Sequence, residues 1–262
     1  MKSAQPIGIF DSGVGGTSIW KEIHQLMPME NTIYLADSKF APYGNKPRED
    51  IVRLSIKNTE KLIDMGAKII VVACNTATTN AISILRANYD LPFVGIEPAI
   101  KPAALKSKTG RIGILATRGT LSSALFSQTS EAFASDIKVV EVVGEGLVPL
   151  IENGQLDSSE LHTLLIKYLD QMIEAKIDYL VLGCSHYPYL IPKLREMLPK
   201  NVTIIDSGAA VARQTKNLLQ KHNLLNTETS TPSLEFYSNS ETTILKSLLG
   251  DHSEITVDRL DF

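Results

Sequence analysis

Residues 69–82 read Ile-Ile-Val-Val-Ala-Cys-Asn-Thr-Ala-Thr-Thr-Asn-Ala-Ile. Five apolar residues, Ile69 to Ala73, run unbroken into Cys74. A short β-branched run of this kind reads as a strand buried on both faces of a parallel sheet. Asn75, Thr76, Thr78 and Thr79 follow at once, and an apolar-periodic segment begins at Ala81. That order predicts a strand, a polar turn able to cap a helix, and then the helix. Cys74 falls at the carboxyl end of its strand, where open α/β sheets bind ligands. A helix N-terminus at that point also favours a thiolate.

The second of the chain's 2 cysteines lies in a near copy of this stretch. Residues 177–191 read Ile-Asp-Tyr-Leu-Val-Leu-Gly-Cys-Ser-His-Tyr-Pro-Tyr-Leu-Ile, with Cys184 110 positions after Cys74. Gly8-Ile9-Phe10-Asp11-Ser12 similarly resembles Gly113-Ile114-Leu115-Ala116-Thr117, 105 positions on. Gly95-Ile96-Glu97 matches Ile204-Ile205-Asp206, each an apolar strand end carrying an acid. Three matched segments in one order argue for an internal duplication. Two such halves facing each other put Cys74 and Cys184 on opposite sides of one cleft. The expected fold is α/β, with two pseudosymmetric domains, each a mostly parallel sheet flanked by helices. The crossing between them is expected near residue 98. Residues 1–97 with 208–262 form the first domain, since the tail has no counterpart in the second, residues 98–207.

Bulk composition removes several function classes. Twenty-six basic against 29 acidic residues leave a net charge of −3. No basic block stands out, so nucleic-acid binding has no electrostatic support. No segment approaches the ~18 consecutive apolar residues of a membrane span. Met-Lys-Ser-Ala-Gln-Pro runs straight into a strand without a signal-peptide pattern. With two cysteines in matched turns, the expectation is the reducing cytoplasm and free thiols.

Along the chain, the first strand, Pro6 to Phe10, leads into Asp11-Ser12-Gly13-Val14-Gly15-Gly16-Thr17 and a helix over 18–27. Its three glycines predict a tight turn whose N–H groups are free to meet an anion. It is not a dinucleotide fingerprint, because the sixth position counted from Gly13 is Ser18. A strand over 32–36 leads to a loop over 39–48 containing Pro42-Tyr43-Gly44. Helices are expected over 49–65, stopped by Gly66, and over 81–90, 121–134, 158–175, 191–198 and 208–222. Residues 144–153 form a glycine-flanked segment holding Glu152, and 226–233 a polar loop. Leu234–Tyr237 reads as a strand, followed by a helix near 240–249 and a last short strand.

Two facing thiols suit acid–base work on a carbon. One thiolate removes a proton from one face, and the other, as a thiol, returns a proton to the opposite face, inverting the centre without a cofactor. A carbanion beside a carboxylate needs fixed donors on that carboxylate. The Gly13–Thr17 loop and the hydroxyls of Ser12, Thr76, Thr117 and Ser185 are suitable. Asp11 and His186, within two residues of the turns, are placed to poise the thiols.

Taken together, Phe10-Asp11-Ser12-Gly13-Val14-Gly15-Gly16, Ala36-Asp37-Ser38 with Pro42-Tyr43-Gly44, Ala73-Cys74-Asn75-Thr76-Ala77 and Gly183-Cys184-Ser185-His186-Tyr187-Pro188 resemble the glutamate racemases. The resemblance implies a cytoplasmic bacterial isomerase that supplies D-glutamate for peptidoglycan and so for cell shape. It also implies two pseudosymmetric domains, no pyridoxal phosphate, no metal, and a homodimer. By position, Cys74 and Cys184 become the acid–base pair, Cys74 facing D-glutamate and Cys184 facing L-glutamate. Asp11, His186 and Glu152 assist them. Ser12, Pro42, Tyr43, Gly44, Asn75, Thr76, Thr117 and Ser185 contact glutamate. Two positions depart from the pattern: Ser185 stands for the family's usual Thr, and Ala41 for a commoner Val.

Three other readings stay open at this point. A sister racemase acting on aspartate or a hydantoin shares the paired cysteines. A metal site of Cys74, Cys184 and His186 has three ligands but no short Cys-x-x-Cys pair. A solute-binding module uses the cleft without turnover and needs no symmetrical thiols.

Overall fold

The computed structural model describes residues 3–134, 137–228, 230–250 and 253–262. Thr229, within the polar loop expected over 226–233, lies outside the described residues. The strands are β1 (Ile7–Asp11), β2 (Thr32–Ala36), β3 (Ile69–Val72), β4 (Phe93–Gly95), β5 (Arg111–Ala116), β6 (Lys138–Val143), β7 (Tyr179–Gly183), β8 (Thr203–Ile205), β9 (Leu234–Ser238) and β10 (Ile255–Arg259). Two sheets result, ordered β10-β9-β2-β1-β3-β4 and β6-β5-β7-β8. Every strand pairing among the described residues is parallel. The order β2-β1-β3-β4 is repeated by β6-β5-β7-β8. The duplication read from the sequence is therefore present in the topology, with β9 and β10 added at the β2 edge.

The strand sequences explain the layers. In β3 the alternate residues Ile69 and Val71 enter a core with Ile19, Trp20 and Phe236. Ile70 and Val72 enter the opposite core with Leu54, Leu62 and Leu85. Both faces are covered, so the run is apolar without alternation. Each such fully buried side chain stabilises the fold by about 1.5–3 kcal/mol. In β7, Leu180 and Leu182 face one core and Val181 the other.

The covering helices are α1 (Thr17–Leu26), α2 (Arg48–Asp64), α3 (Asn75–Asn88), α4 (Ile100–Lys106), α5 (Arg118–Leu121), α6 (Ala124–Ala134), α7 (Leu147–Glu152), α8 (Ser159–Glu174), α9 (Ile191–Met197), α10 (Gly208–Lys221) and α11 (Thr243–Leu249). The expected helix over 121–134 begins later, as α6 at Ala124, with the short α5 just before it, and the segment over 144–153 contains α7. Gly66 has φ +86°, as expected of a residue that ends a helix.

The largest correction concerns the opening stretch. The polar residues 75–79 are not a turn ahead of a helix at Ala81; they are the first turn of α3, which begins at Asn75. Cys74 itself is the N-cap, its sulfur accepting a hydrogen bond from the Ala77 N–H at 3.4 Å. A thiol in a cap position leaves no marker for a pattern that looks for Ser, Thr, Asp or Asn there.

Candidate active site

The chain reverses its winding direction between β1 and β3 in the first sheet and between β5 and β7 in the second, and the crevice at the carboxyl ends of such a strand pair is the expected ligand site. Asp11 ends β1 and Cys74 follows β3; Thr117 follows β5 and Cys184 follows β7. The two crevices meet. Ser12, Pro42, Tyr43, Gly44, Asn75, Thr76, Thr117, Ser185 and His186 line one cavity together with both cysteines. All eight residues expected to bind substrate are thus brought together. The space is small, about 10 Å³, the room that one water needs.

Asp11 and Glu152 do not line the cavity. They stand behind it and bind across the cleft. The Ser185 hydroxyl, from the second half, donates to Asp11 Oδ1 at 3.0 Å. The Ser38 hydroxyl, from the first half, donates to Glu152 Oε2 at 3.0 Å. The Val14 N–H donates to Glu152 Oε1 at 2.7 Å, and the same oxygen meets His186 Nε2 at 2.5 Å. The other ring nitrogen, Nδ1, stands 3.7 Å from Cys184 Sγ.

The glycine loop therefore meets anions, but they belong to the protein. The Gly13 and Gly16 N–H groups donate to Asp11 Oδ2 at 3.2 and 3.1 Å, and Val14 serves Glu152. This corrects the expectation that the loop is free for substrate, because the sequence does not show which carboxylates fold back onto it. The glycines serve close approach instead. A Cβ on Gly15 would lie 2.2 Å from His186 Nδ1, and one on Gly13 2.0 Å from Glu152 Oε1.

Electrostatics separates the two thiols. Burial pushes Cys74 well above the usual thiol range, and the charge of Asp11 adds to this. Burial also raises Asp11, although His186 opposes the shift. Burial works against a charged His186, but the contacts with Cys184 and Glu152 outweigh it and hold the imidazole well above 6.5. His186 Nδ1, 3.7 Å from Cys184 Sγ, is the titratable group set beside the second sulfur, as Asp11 is beside the first.

Two further features bear on a ligand. Asn75 is buried, and neither its Oδ1 nor its Nδ2 has a hydrogen-bond partner. Leaving a buried amide unpaired costs on the order of 1–3 kcal/mol, so a polar guest is the natural partner. Thr76 and Thr117 share a hydrogen bond of 2.8 Å across the cleft, with Thr120 within 3.3 Å of both. The Tyr43–Gly44 loop is braced from behind: buried Asp37 takes the Tyr43 hydroxyl, Lys57 at 2.8 Å, Asn58 at 3.2 Å and Asn239 at 2.5 Å.

Sequence reading missed Val148, which lines the cavity, and Ser38. Val148 sits in an ordinary apolar run and carries no signal. Ser38 carried one, its place beside an acid at a strand's carboxyl end. Among the described residues no cluster of three or more His, Cys, Asp or Glu is placed to hold a metal ion.

Comparisons with known proteins point one way. The family description Asp/Glu/hydantoin racemase matches residues 8–215. A glutamate racemase of Ectopseudomonas mendocina (strain ymp) is 44% identical, covering 98% of this chain and 99% of its own. The crystal structure of a glutamate racemase isoform from Bacillus anthracis superimposes with a TM-score of 0.88 at 29% identity, covering 99% of this chain and 98% of that one. The Escherichia coli glutamate racemase, solved with L-glutamate and the activator UDP-MurNAc-Ala, gives 0.85 at 33% identity, covering 98% of each chain.

Proposed function

The chain belongs to the Asp/Glu/hydantoin racemase family, and we propose that it interconverts L- and D-glutamate by passing the α-proton between Cys74 and Cys184. What carries the mechanism is that both thiols, each at the carboxyl end of a matched strand, line one closed cavity that also holds the unpartnered carboxamide of Asn75.

The resting electrostatics suits one direction first. Burial favours the thiol form of Cys74, which makes it the acid, and Cys184, with His186 beside it, is the base. With L-glutamate, the Cys184 sulfur takes the α-proton, and the electron pair passes into the adjoining carboxylate. Asn75, Thr76 and Thr117 donate to that carboxylate as its charge grows. Cys74 then delivers its proton to the opposite face. The products are D-glutamate, a Cys74 thiolate and a Cys184 thiol, and every proton is accounted for. In the reverse direction Cys74 must act as the base. Asp11, raised by burial, can take the proton of Cys74 so that this sulfur acts as the base, while Cys184 carries the proton that it returns to the opposite face.

In this reading residues 1–97 with 208–262 form one wall and 98–207 the other. The protein works in the cytoplasm as a homodimer, and its D-glutamate goes to peptidoglycan. Among the described residues no helix is long and apolar enough to cross a membrane. The test is a racemisation assay on L-glutamate and L-aspartate, with chelator and no added cofactor. Turnover of glutamate is expected. Preference for aspartate would move the chain to the sister activity, and dependence on added zinc would overturn the two-thiol scheme.

A further inference from the structure

We propose that Ser38 is a positioning residue for the Cys184 half of the proton transfer. Its hydroxyl crosses the cleft to Glu152 Oε2, and Glu152 meets His186, whose other ring nitrogen faces Cys184. The inference rests on the two-thiol reading above. Glu152 is the last residue of α7, where a negative side chain faces the negative end of the helix dipole. It needs donors to stay there charged. His186 supplies one from its own half. The other two, the Val14 N–H and the Ser38 hydroxyl, come only from the opposite half.

The two carboxylate oxygens have separate duties. Oε1 carries both Val14 and His186, whereas Oε2 has Ser38. The terminal torsion of a glutamate is soft. Without Ser38 the carboxylate plane is free to turn about Oε1, and the aim of His186 goes with it. Ser38 stands on a rigid shelf. Asp37 before it is fully buried and takes four side-chain donors, and the Lys39 N–H after it donates to Asn239 Oδ1 at 2.9 Å. Ser38 does not line the cavity, so its effect on substrate is indirect. The matched contact, Ser185 on Asp11, runs the other way across the cleft. Each half therefore sends one serine to the carboxylate behind the other half's thiol.

The test is kinetic and compares directions. Ser38→Ala is assayed with α-deuterated L- and D-glutamate, beside Ser38→Thr. The expected loss in kcat/KM is roughly 10-fold, the low end for a hydrogen bond to a charged group because Val14 remains. If Ser38 serves Cys184, the isotope effect rises for L-glutamate, whose deuteron goes to Cys184. It falls for D-glutamate, whose deuteron goes to Cys74. Ser38→Thr keeps the hydroxyl and restores both values. A general loosening of the site would move both isotope effects the same way, and that result, or unchanged kinetics in a folded Ser38→Ala, overturns the proposal alone. Racemisation by Cys184→Ser at the unaltered rate overturns the two-thiol reading, and the proposal with it.

Discussion

Cys74 and Cys184 close matched strands, yet they keep different company. Cys74 caps a helix, accepts one weak backbone hydrogen bond and lies near a buried carboxylate. Cys184 has an imidazolium at its side, itself held by a carboxylate from α7. The duplicated fold supplies the symmetry of position, and single residues that differ at matched positions of the repeat supply the asymmetry of charge. Residue 11 is Asp at the end of β1, whereas its counterpart in β5 is Ala116. His186 follows the second cysteine where Thr76 follows the first. A copied scaffold thus needs few changes to surround its two thiols with different titratable groups.

The largest effect that can break this comparison comes from the thiols. Cys74→Ser and Cys184→Ser should each lose racemisation by roughly 10²–10⁴-fold, as for a missing acid or base. In deuterated water Cys74→Ser should still wash deuterium into L-glutamate, and Cys184→Ser into D-glutamate. If each variant handles both enantiomers equally, a single base does the work.

Next comes the imidazolium. His186→Asn should lower activity by roughly 10²-fold, the low end of the range for general acid–base help. The sign of its pH dependence is fixed by the raised titration of His186. An unfolded imidazole titrates near 6.5. The stability that His186 contributes is therefore complete below that value and is lost as pH rises through the folded one. An NMR titration of the ring, with melting curves of the protein and of His186→Asn, checks both. A ring that titrates below 6.5 would end the distinction between the thiols.

A smaller effect is expected from Gly15→Ala. The added Cβ would collide with His186, which belongs to the other half. Overpacking of this kind costs about 1–3 kcal/mol, and here it should appear as lost activity, roughly 10-fold or more, with little loss of melting temperature. A large fall in melting temperature would mean that the loop braces its own half and not the closed cleft.

The smallest belongs to Ser185. Its hydroxyl meets Asp11, which also has two backbone donors, so Ser185→Ala should cost about 1 kcal/mol, several-fold in kcat/KM. Ser185→Thr should be tolerated. Unchanged kinetics in the alanine variant would remove the serine from the site.

Much of this was legible in the chain. Buried strands announce themselves as apolar runs such as Ile69–Val72, and two unbroken runs ending in cysteine gave both the duplication and the facing thiols. What stayed hidden depends on contacts between distant residues. Nothing near Gly13 says that Glu152, more than a hundred positions away, occupies the loop's N–H groups. The start of α3 stays hidden because Asn75, Thr76, Thr78 and Thr79 are poor helix formers, and the cap that holds them is a sulfur. Asn239, just after the added strand β9, braces Asp37 from a stretch with no counterpart in the second half.

The pairing of the two thiols carries a last consequence. A turnover that moves a proton from carbon to one sulfur and from the other sulfur to carbon leaves the protein changed: it is now charged for the opposite hand. Before the same enantiomer can be taken again, both sulfurs must return to their starting charges, so each turnover in one direction includes a recharging of the protein as well as the chemistry on carbon. Asp11 beside Cys74 and His186 beside Cys184 stand where such protons would pass.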